Sequence, residues 1–257
     1  MNLSEGLMLR PPEIVTFVGG GGKVTAMVRL AEERLALGEK VIITTTTKMF
    51  EPEAGFRHKL LICDNPAQFV PKVREALKRV SAVVLATGYA TLEKLQGIPL
   101  EAAKELLKLE EVSTVLVKGD GAIDRPLKAP AAHEPAIAEG TTLLTPVVGI
   151  DALGRPLNER IAHRPQLVSK LMKVEIGGRV TGDAIGVLLS HPEGLMKNAP
   201  PNARVIPLIN QVESEHQLQA ALGIAAVAFR TGPMFLKRIL IGHVQSTDPV
   251  TRIVDQP

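Results

Sequence analysis

The chain has 257 residues, 45% of them hydrophobic, which is enough for a large α/β domain with a sizeable core. The 30 basic and 27 acidic residues are spread along the sequence, and only 3% of the residues are aromatic, so we expect no nucleic-acid partner. No window reaches the roughly 18 uninterrupted apolar residues of a membrane span, and the single cysteine cannot form an internal disulfide. We therefore expect a cytoplasmic protein without a membrane partner.

Apolar runs of strand length alternate with segments of helical periodicity through the first half of the chain. Strands are predicted at 13–18, 40–45, 59–63, 81–86 and 113–118. Helices between them are predicted at 24–37, 66–80 and 99–109. This alternation indicates βαβ units, and it predicts a P-loop NTPase-like three-layer α/β/α fold with a mostly parallel sheet.

The second half of the chain opens with a segment rich in proline, glycine and alanine, 119–165, which contains one predicted strand at 143–150. Beyond it, helices are predicted at 166–174, 183–189 and 214–229, and strands at 204–209 and 238–244. No domain boundary is evident, so we predict one nucleotide-binding α/β domain over 1–257. The segment 119–165 is interpreted as an insertion that completes the site, because α/β sheets bind ligands beyond the carboxyl ends of their strands.

Four glycines and a lysine follow the first predicted strand directly: Gly19, Gly20, Gly21, Gly22 and Lys23. Glycines permit positive φ and a close approach to an anion, the N–H groups of a helix start point toward it, and the lysine adds charge. Val24 takes the Ser/Thr position of G-x-x-x-x-G-K-S/T and also breaks a Rossmann G-x-G-x-x-G. The run fits better a shorter Gly-x-x-Gly-Lys loop of the Mur-ligase kind, and we predict that it binds the phosphates of a nucleotide.

A carboxylate follows the strand predicted at 113–118, where Asp120 lies between Gly119 and Gly121. This is the position of a Walker-B-like acid, which holds Mg²⁺ directly or through water. A plain Asp-Gly turn without a ligand is the alternative. Together with the glycine loop, the pattern predicts Asp120 and Lys23 as the catalytic residues.

Two further segments supply candidates for binding the nucleotide. Threonines and Lys48 follow the second predicted strand, and we select Thr46 and Lys48, although a plain strand end is the alternative. A proline-stiffened loop at 125–135 adds Lys128, His133 and Glu134, with an ordinary solvated loop as the alternative.

Asn210 ends the strand predicted at 204–209, in a placement like the N-K-x-D element that reads a guanine base. Gln211 and Glu213 replace the lysine and aspartate of that element, which argues against guanine selectivity. Asn210 is therefore kept as a nucleotide-binding candidate, and helix capping ahead of Ser214 is the alternative.

Several short segments together resemble a known family over nearly the whole chain. They are 17–23, 44–49, 119–122, 126–130, 133–135, 148–157, 163–165 and Asn210. The chain resembles the YqeC-type selenium-dependent hydroxylase accessory proteins. The resemblance implies a nucleotide-binding, P-loop-like protein that serves maturation of a selenium-dependent molybdenum hydroxylase. Together with the glycine loop and Asp120, it leads us to expect ATP or GTP with Mg²⁺ as the ligands, with ATP preferred. The resemblance implies no particular reaction, so NTPase and nucleotide-dependent transferase or ligase activities both stay open.

Two positions depart from the usual pattern of this family. Val24 replaces the first threonine of Gly-Lys-Thr-Thr, which leaves Thr25 as the hydroxyl for Mg²⁺, and Lys118 replaces the acidic residue of Glu-Ala-Asp-Gly-Ala. Both changes weaken metal binding, and Lys118 could pair with Asp120 or contact a phosphate. The alternative function is therefore a non-catalytic chaperone that carries the phosphate of a pterin or nucleotide cofactor or docks on the hydroxylase.

Overall fold

The structure, a computed structural model, describes residues 1–52 and 56–256. Its strands are β1 (Glu13–Gly19), β2 (Lys40–Thr45), β3 (Lys48–Phe50), β4 (Lys59–Ile62), β5 (Ala82–Ala86), β6 (Gly88–Tyr89), β7 (Lys94–Gln96), β8 (Val112–Lys118), β9 (Leu127–Lys128), β10 (Leu143–Gly149), β11 (Ala162–His163), β12 (Arg204–Val205), β13 (Leu208–Asn210), β14 (Arg238–Gly242) and β15 (Val250–Asp255). Its α-helices are α1 (Leu3–Gly6), α2 (Lys23–Ala36), α3 (Phe69–Leu77), α4 (Ala102–Leu106), α5 (Pro165–Met172), α6 (Gly182–Ser190) and α7 (Glu215–Thr231). Short 3₁₀ helices occupy Pro66–Gln68 and Ile150–Ala152.

Ten of the described strands form one sheet in the order β15-β14-β13-β10-β1-β8-β2-β5-β4, with β12 also paired to β10. The pairs within this sheet are parallel except β14 with β15, which are antiparallel. The mostly parallel sheet predicted from the sequence is thus confirmed. Because parallel strands end at one edge, the loops after β1, β2, β8 and β10 meet there.

Helices cover both faces of the sheet. Every residue of β1 is buried, as expected for a parallel strand that packs on both sides. Val15 and Phe17 contact α2 on one face, whereas Ile14 belongs to the core beneath α3 and α4 and Val18 to the core beneath α5, α6 and α7. This arrangement confirms the α/β fold with a helical layer on each side, and it agrees with the P-loop-like architecture.

Several predicted elements differ in extent from the observed ones. The helix expected at 99–109 is helical only over Ala102–Leu106, and α3 ends at Leu77. The strand expected at 204–209 is split into β12 and β13 around Pro207, which has no N–H to donate to a neighbouring strand. The strand expected at 238–244 is not the last, because β15 follows it as an antiparallel edge strand.

Two small sheets lie beside the large one and were not predicted: β3-β7-β6, and β11 paired with β9. The segment 119–165 supplies loops, and it also supplies β10 at the centre of the large sheet. Within residues 1–52 and 56–256, no helix is both long and apolar enough to cross a membrane.

Candidate functional site

A cavity of about 540 Å³ lies where the loops after β1, β2 and β8 meet. Among the described residues its lining carries six cationic side chains and two carboxylates. The cations are Lys23, Lys48, Lys94, Lys118, Arg125 and Arg164, and the carboxylates are Asp124 and Glu134. Such an excess of positive charge in a concave site favours a ligand with several negative charges.

The glycine loop after β1 forms one wall of this cavity, and its backbone requires glycine. Gly19, Gly21 and Gly22 have φ of 97°, 66° and 98°. A Cβ on Gly21 would lie 2.1 Å from the backbone nitrogen of Gly149, and one on Gly20 would lie 2.5 Å from the carbonyl oxygen of Arg125. The loop is therefore held closely between the end of β10 and the segment that follows β8.

The N–H groups of the loop fall into two sets. Those of Gly19, Gly20 and Gly21 already donate within the protein, to Asp120 Oδ2, Val147 O and Arg125 O. The helix α2 begins directly afterwards, and Gly22 at its N-cap provides no side-chain cap. None of the described residues accepts a hydrogen bond from the N–H groups of 22–25, which line the cavity. These four donors at a helix start are available to an anion.

Lys23 and Asp120 form a buried ion pair behind the loop. Nζ of Lys23 lies 3.2 Å from Oδ1 of Asp120 and donates a hydrogen bond to the carbonyl oxygen of Gly19. The two side chains are only 4% and 1% exposed. Burial lowers the pKa of Lys23, an effect that Asp120 opposes. The catalytic pair predicted from the sequence is thus brought together, with the lysine ammonium directed at the carboxylate.

The fit of Asp120 to Mg²⁺ can be judged from its two oxygens. Oδ2 accepts from Gly19 N over 2.9 Å and lies 3.3 Å from Nζ of Lys128. Oδ1 has no hydrogen-bond partner among the described residues, but the ammonium of Lys23 is already in ion-pair contact with it. Two ammonium groups thus take the places that a cation bound to this carboxylate would need. The residues present therefore do not fit Mg²⁺ held directly by Asp120. Thr25, the other predicted ligand, lines the cavity.

Lys128, Glu134 and Arg164 extend this buried network. Lys128 is fully buried, and its Nζ lies 2.9 Å from Glu134 Oε2 and 2.6 Å from the carbonyl oxygen of Gly121. Arg164 donates to the same Glu134 oxygen. Burial acts to raise the pKa of Glu134, but the hydrogen bonds from Arg164 and Lys128 outweigh it and lower that pKa to about 2. Lys128 is thus a support behind the cavity, whereas Glu134 lines it.

Lys118, at the end of β8, also points into the cavity. Its ammonium donates to the carbonyl oxygen of Lys48 and lies 3.5 Å from the hydroxyl of Thr47. Burial and the neighbouring charge of Lys23 lower the pKa of Lys118 to about 7. This lysine therefore changes its protonation state near neutral pH.

The other predicted site residues divide into those that line the cavity and those behind it. Lys48, Val24 and His133 line it. Thr46 is outside the lining, and its hydroxyl donates to the carbonyl oxygen of Ala136. Asn210 is also outside the lining and is 2% exposed.

Asn210 uses both ends of its amide within the protein. The amide nitrogen donates to Gly21 O over 2.8 Å, and the amide oxygen accepts from Val244 N over 3.0 Å. Asn210 does not cap the following helix, which was the alternative interpretation. Ser214 and Gln217 form the capping box at the start of α7 instead. In this arrangement Asn210 holds the glycine loop and presents no free amide to a base.

Apart from Lys48, sequence reasoning missed the side of the cavity that is formed by the sheet β3-β7-β6. Phe50 is 43% exposed, and Nζ of Lys94 lies 4.7 Å from the centre of its ring. Both residues line the cavity. The two strands concerned are three residues each, too short to leave a period-2 pattern, so the sequence offered no signal for this pairing.

The fold and the site define an α/β protein with a cavity rich in cationic side chains at a glycine-rich strand-to-helix turn. The family model described as YqeC protein matches residues 15–166, which include the glycine loop, Asp120 and Glu134. The Escherichia coli (strain K12) protein called uncharacterized protein YqeC is 30% identical over 241 residues, covering 94% of this chain and 91% of that relative. The chain belongs to the YqeC family.

Proposed function

We propose that this protein binds a nucleoside triphosphate, ATP in the first place, as an accessory protein in the maturation of a selenium-dependent molybdenum hydroxylase. The observation that carries the proposal is the set of N–H groups at 22–25, which open without a partner among the described residues into a cavity rich in cations. A helix start of this kind favours phosphate, because its N–H groups and its dipole both attract negative charge.

The phosphate end of the ligand would lie against the start of α2. Lys23, which is paired with Asp120, lines the same space as Lys118 and Lys48, and these three cations would attract the phosphates. Phosphoryl-transfer proteins act mainly by positioning the phosphate groups and neutralising the charge that develops on them. The residues of this cavity are suited to that work.

The nucleoside end would lie toward the small sheet β3-β7-β6. Phe50 offers an exposed aromatic face to the cavity, and Lys94 is seated on that ring. An aromatic face stacks on any base, so Phe50 supports a nucleotide ligand over a bare polyphosphate. Adenine is preferred to guanine here because the amide of Asn210 is already hydrogen-bonded to Gly21 and Val244.

The role in hydroxylase maturation rests on the family to which the chain belongs. The YqeC match covers the glycine loop, Asp120, His133 and Glu134. These are the segments that carry the resemblance to accessory proteins of selenium-dependent hydroxylases. The proposed partner is therefore the hydroxylase or its cofactor, and the nucleotide is the ligand of the cavity.

A second candidate is a non-catalytic carrier that holds the phosphate of a pterin or nucleotide cofactor. Asp120 favours it, because this carboxylate lies 3.2 Å from one ammonium and 3.3 Å from another. A carboxylate neutralised in this way is poorly placed to hold a metal ion for hydrolysis. The same N–H groups at 22–25 would then bind the phosphate of the cofactor.

Equilibrium dialysis with ATP, GTP and their diphosphates, with and without Mg²⁺, tests the proposal, together with release of inorganic phosphate. We expect saturable binding of ATP, stronger than that of GTP. A protein that binds neither nucleotide, but that purifies with a pterin chromophore, would replace the first candidate by the second. Binding of neither class of ligand would contradict both.

A further inference from the structure

One part of the cavity lining is not used by the proposed nucleotide, which takes the helix start at 22–25 and the ring of Phe50. This part comes from the loop that follows β8 and from the residue that follows β11. We call it the arginine side. It is formed by Ile123, Asp124, Arg125, His133, Glu134 and Arg164.

Arg164 is held in place on this side, yet part of its guanidinium group is unused. β11 pairs with β9 with His163 opposite Lys128, so Arg164 follows directly at the end of that pair. Its Nη1 donates to Glu134 Oε2, an oxygen that Lys128 also contacts, over 2.9 Å. Nε and Nη2 carry further N–H donors, and none of the described residues accepts a hydrogen bond from them. The side chain is 29% exposed and lines the cavity, so these donors are available to a ligand.

Three residues of the arginine side have a strained backbone. Ile123, Asp124 and Arg164 have φ of 48°, 53° and 59°. This left-handed region is uncommon for residues other than glycine, and it is least favourable for a β-branched residue such as Ile123. The side chain of Ile123 is nevertheless 58% exposed, so the strain does not serve to bury it in the core. Strained residues that are grouped on one side of a cavity are typical of a ligand-binding site.

The charges of the arginine side favour an anion. The carboxylate of Glu134 is already paired with Lys128, which contacts it from behind the cavity. Asp124, the other carboxylate of this side, is exposed to solvent, which screens its charge. Arg125 and Arg164 therefore leave an excess of positive charge. The planar fork of a guanidinium group matches the two oxygens of a carboxylate or a phosphate.

A second cavity, of about 580 Å³, adjoins the first at the arginine side. His133 and Ala136 line both cavities. The lining of the second cavity includes the apolar side chains of Leu100 and Ile137 and the cationic side chain of Lys104. The first cavity, at about 540 Å³, has the size of a site for a single ligand, roughly 300–1,000 Å³. A second ligand with its acid group at the arginine side would thus have room for its other atoms in the second cavity.

We propose that the arginine side binds a second ligand, a small molecule whose carboxylate or phosphate group is held by Arg164 next to the phosphates of the nucleotide. The rest of this molecule extends past His133 into the second cavity. Glu134 fixes the orientation of the guanidinium group, and the unused N–H groups donate to the oxygens of the ligand. This inference rests on the proposed function, because it assigns the remainder of the first cavity to the nucleotide.

Calorimetric titration of the protein saturated with ATP tests the inference, with inorganic phosphate and succinate as the probes. Bound ATP covers the N–H groups at 22–25, so a probe has to bind elsewhere. We expect saturable binding of one anion per chain for at least one probe. The probe that binds more tightly shows whether the acid group is a phosphate or a carboxylate. Absence of binding of both probes to the protein that holds ATP would overturn the inference.

One variant assigns the site to Arg164. Arg164→Lys keeps a positive charge beside Glu134 but loses the fork, so it should lower the affinity for the probe by about tenfold or more. It should lower the affinity for ATP by less, a difference that a merely structural role of Arg164 would not produce. Arg160→Lys, on an exposed arginine outside both cavity linings, is the matched control and should change neither affinity.

The outcomes separate this inference from the proposed function. Unchanged probe binding in Arg164→Lys, or a loss of affinity for ATP as large as that for the probe, would overturn the second site and leave nucleotide binding intact. If the unmodified protein does not bind ATP, the proposed function is contradicted, and titration of the probes without ATP decides the rest. Probe binding that Arg164→Lys weakens would then support the anion site at Arg164, and equal binding to the two proteins would overturn it.

Discussion

Asn210 donates a hydrogen bond from its side-chain amide to the carbonyl oxygen of Gly21 over 2.8 Å, across 189 positions of sequence. The same amide accepts from Val244 N, so one side chain ties the glycine loop to the loop after β14. The conformation of the glycine loop thus depends on a residue from the far half of the chain.

The first prediction concerns this tie. Asn210→Ala should destabilise the protein by about 1–3 kcal/mol, because Gly21 O and Val244 N lose their side-chain partner. It should weaken ATP and GTP binding by the same factor, since the amide holds the loop and does not read the base. Urea unfolding and dialysis measure the two effects, with exposed Asn202→Ala as the control. A loss of affinity for GTP alone would show instead that Asn210 contacts the guanine base.

The second prediction concerns the glycine loop itself. Gly21→Ala should destabilise the protein by about 2–3 kcal/mol, because φ is 66° and the new Cβ would lie 2.1 Å from Gly149 N. Gly223→Ala is the control, since a Cβ there meets no described atom within 4 Å and the position is inside α7. Thermal unfolding followed by circular dichroism compares them. Equal effects of the two substitutions would mean that the loop is not held as described.

The third prediction separates the base from the phosphates. Phe50→Ala should weaken ATP binding by about 1–3 kcal/mol, the range of base stacking on an aromatic ring, and leave tripolyphosphate binding unchanged. Tyr89→Ala is the matched control, because Tyr89 is 61% exposed and lies outside the cavity lining. Competition dialysis with the two ligands measures the difference. If Phe50→Ala weakens the binding of ATP and of tripolyphosphate equally, the base does not stack on this ring.

The fourth prediction is a dependence of stability on pH. Burial, aided by Lys23, lowers the pKa of Lys118 from 10.5 to about 7 in the folded protein. Between these values the unfolded chain binds more protons at this residue than the folded one does, so the contribution of Lys118 to the free energy of unfolding rises with pH. Below pH 7 the amine is charged in both states and its burial opposes folding most strongly.

Lys118→Met removes this penalty. Without ligand, it should raise the melting temperature most at pH 6.5, by about 2–4 °C for each kcal/mol of penalty removed, and the gain should shrink by pH 9.5. Thermal scans of the two proteins at several pH values give the difference. Lys108→Met should follow the unmodified protein at every pH, because Lys108 is exposed. A gain that grows with pH would show that Lys118 is not the titrating group.

Elements that are encoded by one continuous segment could be predicted from the sequence. The run from Glu13 to Ala36 gave a strand, a glycine turn and a helix, since apolar residues, glycines and helical periodicity follow each other within one segment. The proximity of Lys23 and Asp120 at one edge of the sheet could also be predicted, because parallel strands end at the same edge. These are local patterns combined with a general rule of topology.

Features that depend on distant or very short segments could not be predicted. The contacts of Arg164 with Glu134 and of Asn210 with Gly21 join loops whose relative placement no local pattern encodes. The ring of Phe50 reaches the cavity on a three-residue strand, too short for a period-2 signal. Burial of Lys118 likewise follows from the packing of β8 between β1 and β2, and the strand sequence alone contains only a terminal lysine.

The central claim is that the glycine loop and Lys23 bind the phosphates of a nucleotide. Lys23→Ala removes the cation at the start of α2 but leaves Asp120 in contact with Lys128 and Gly19 N, so the protein should stay folded by circular dichroism. The most direct measurement is a calorimetric titration of ATP into the unmodified protein and this variant. We predict saturable binding to the unmodified protein and none to Lys23→Ala; an unchanged affinity in the folded variant would contradict the claim.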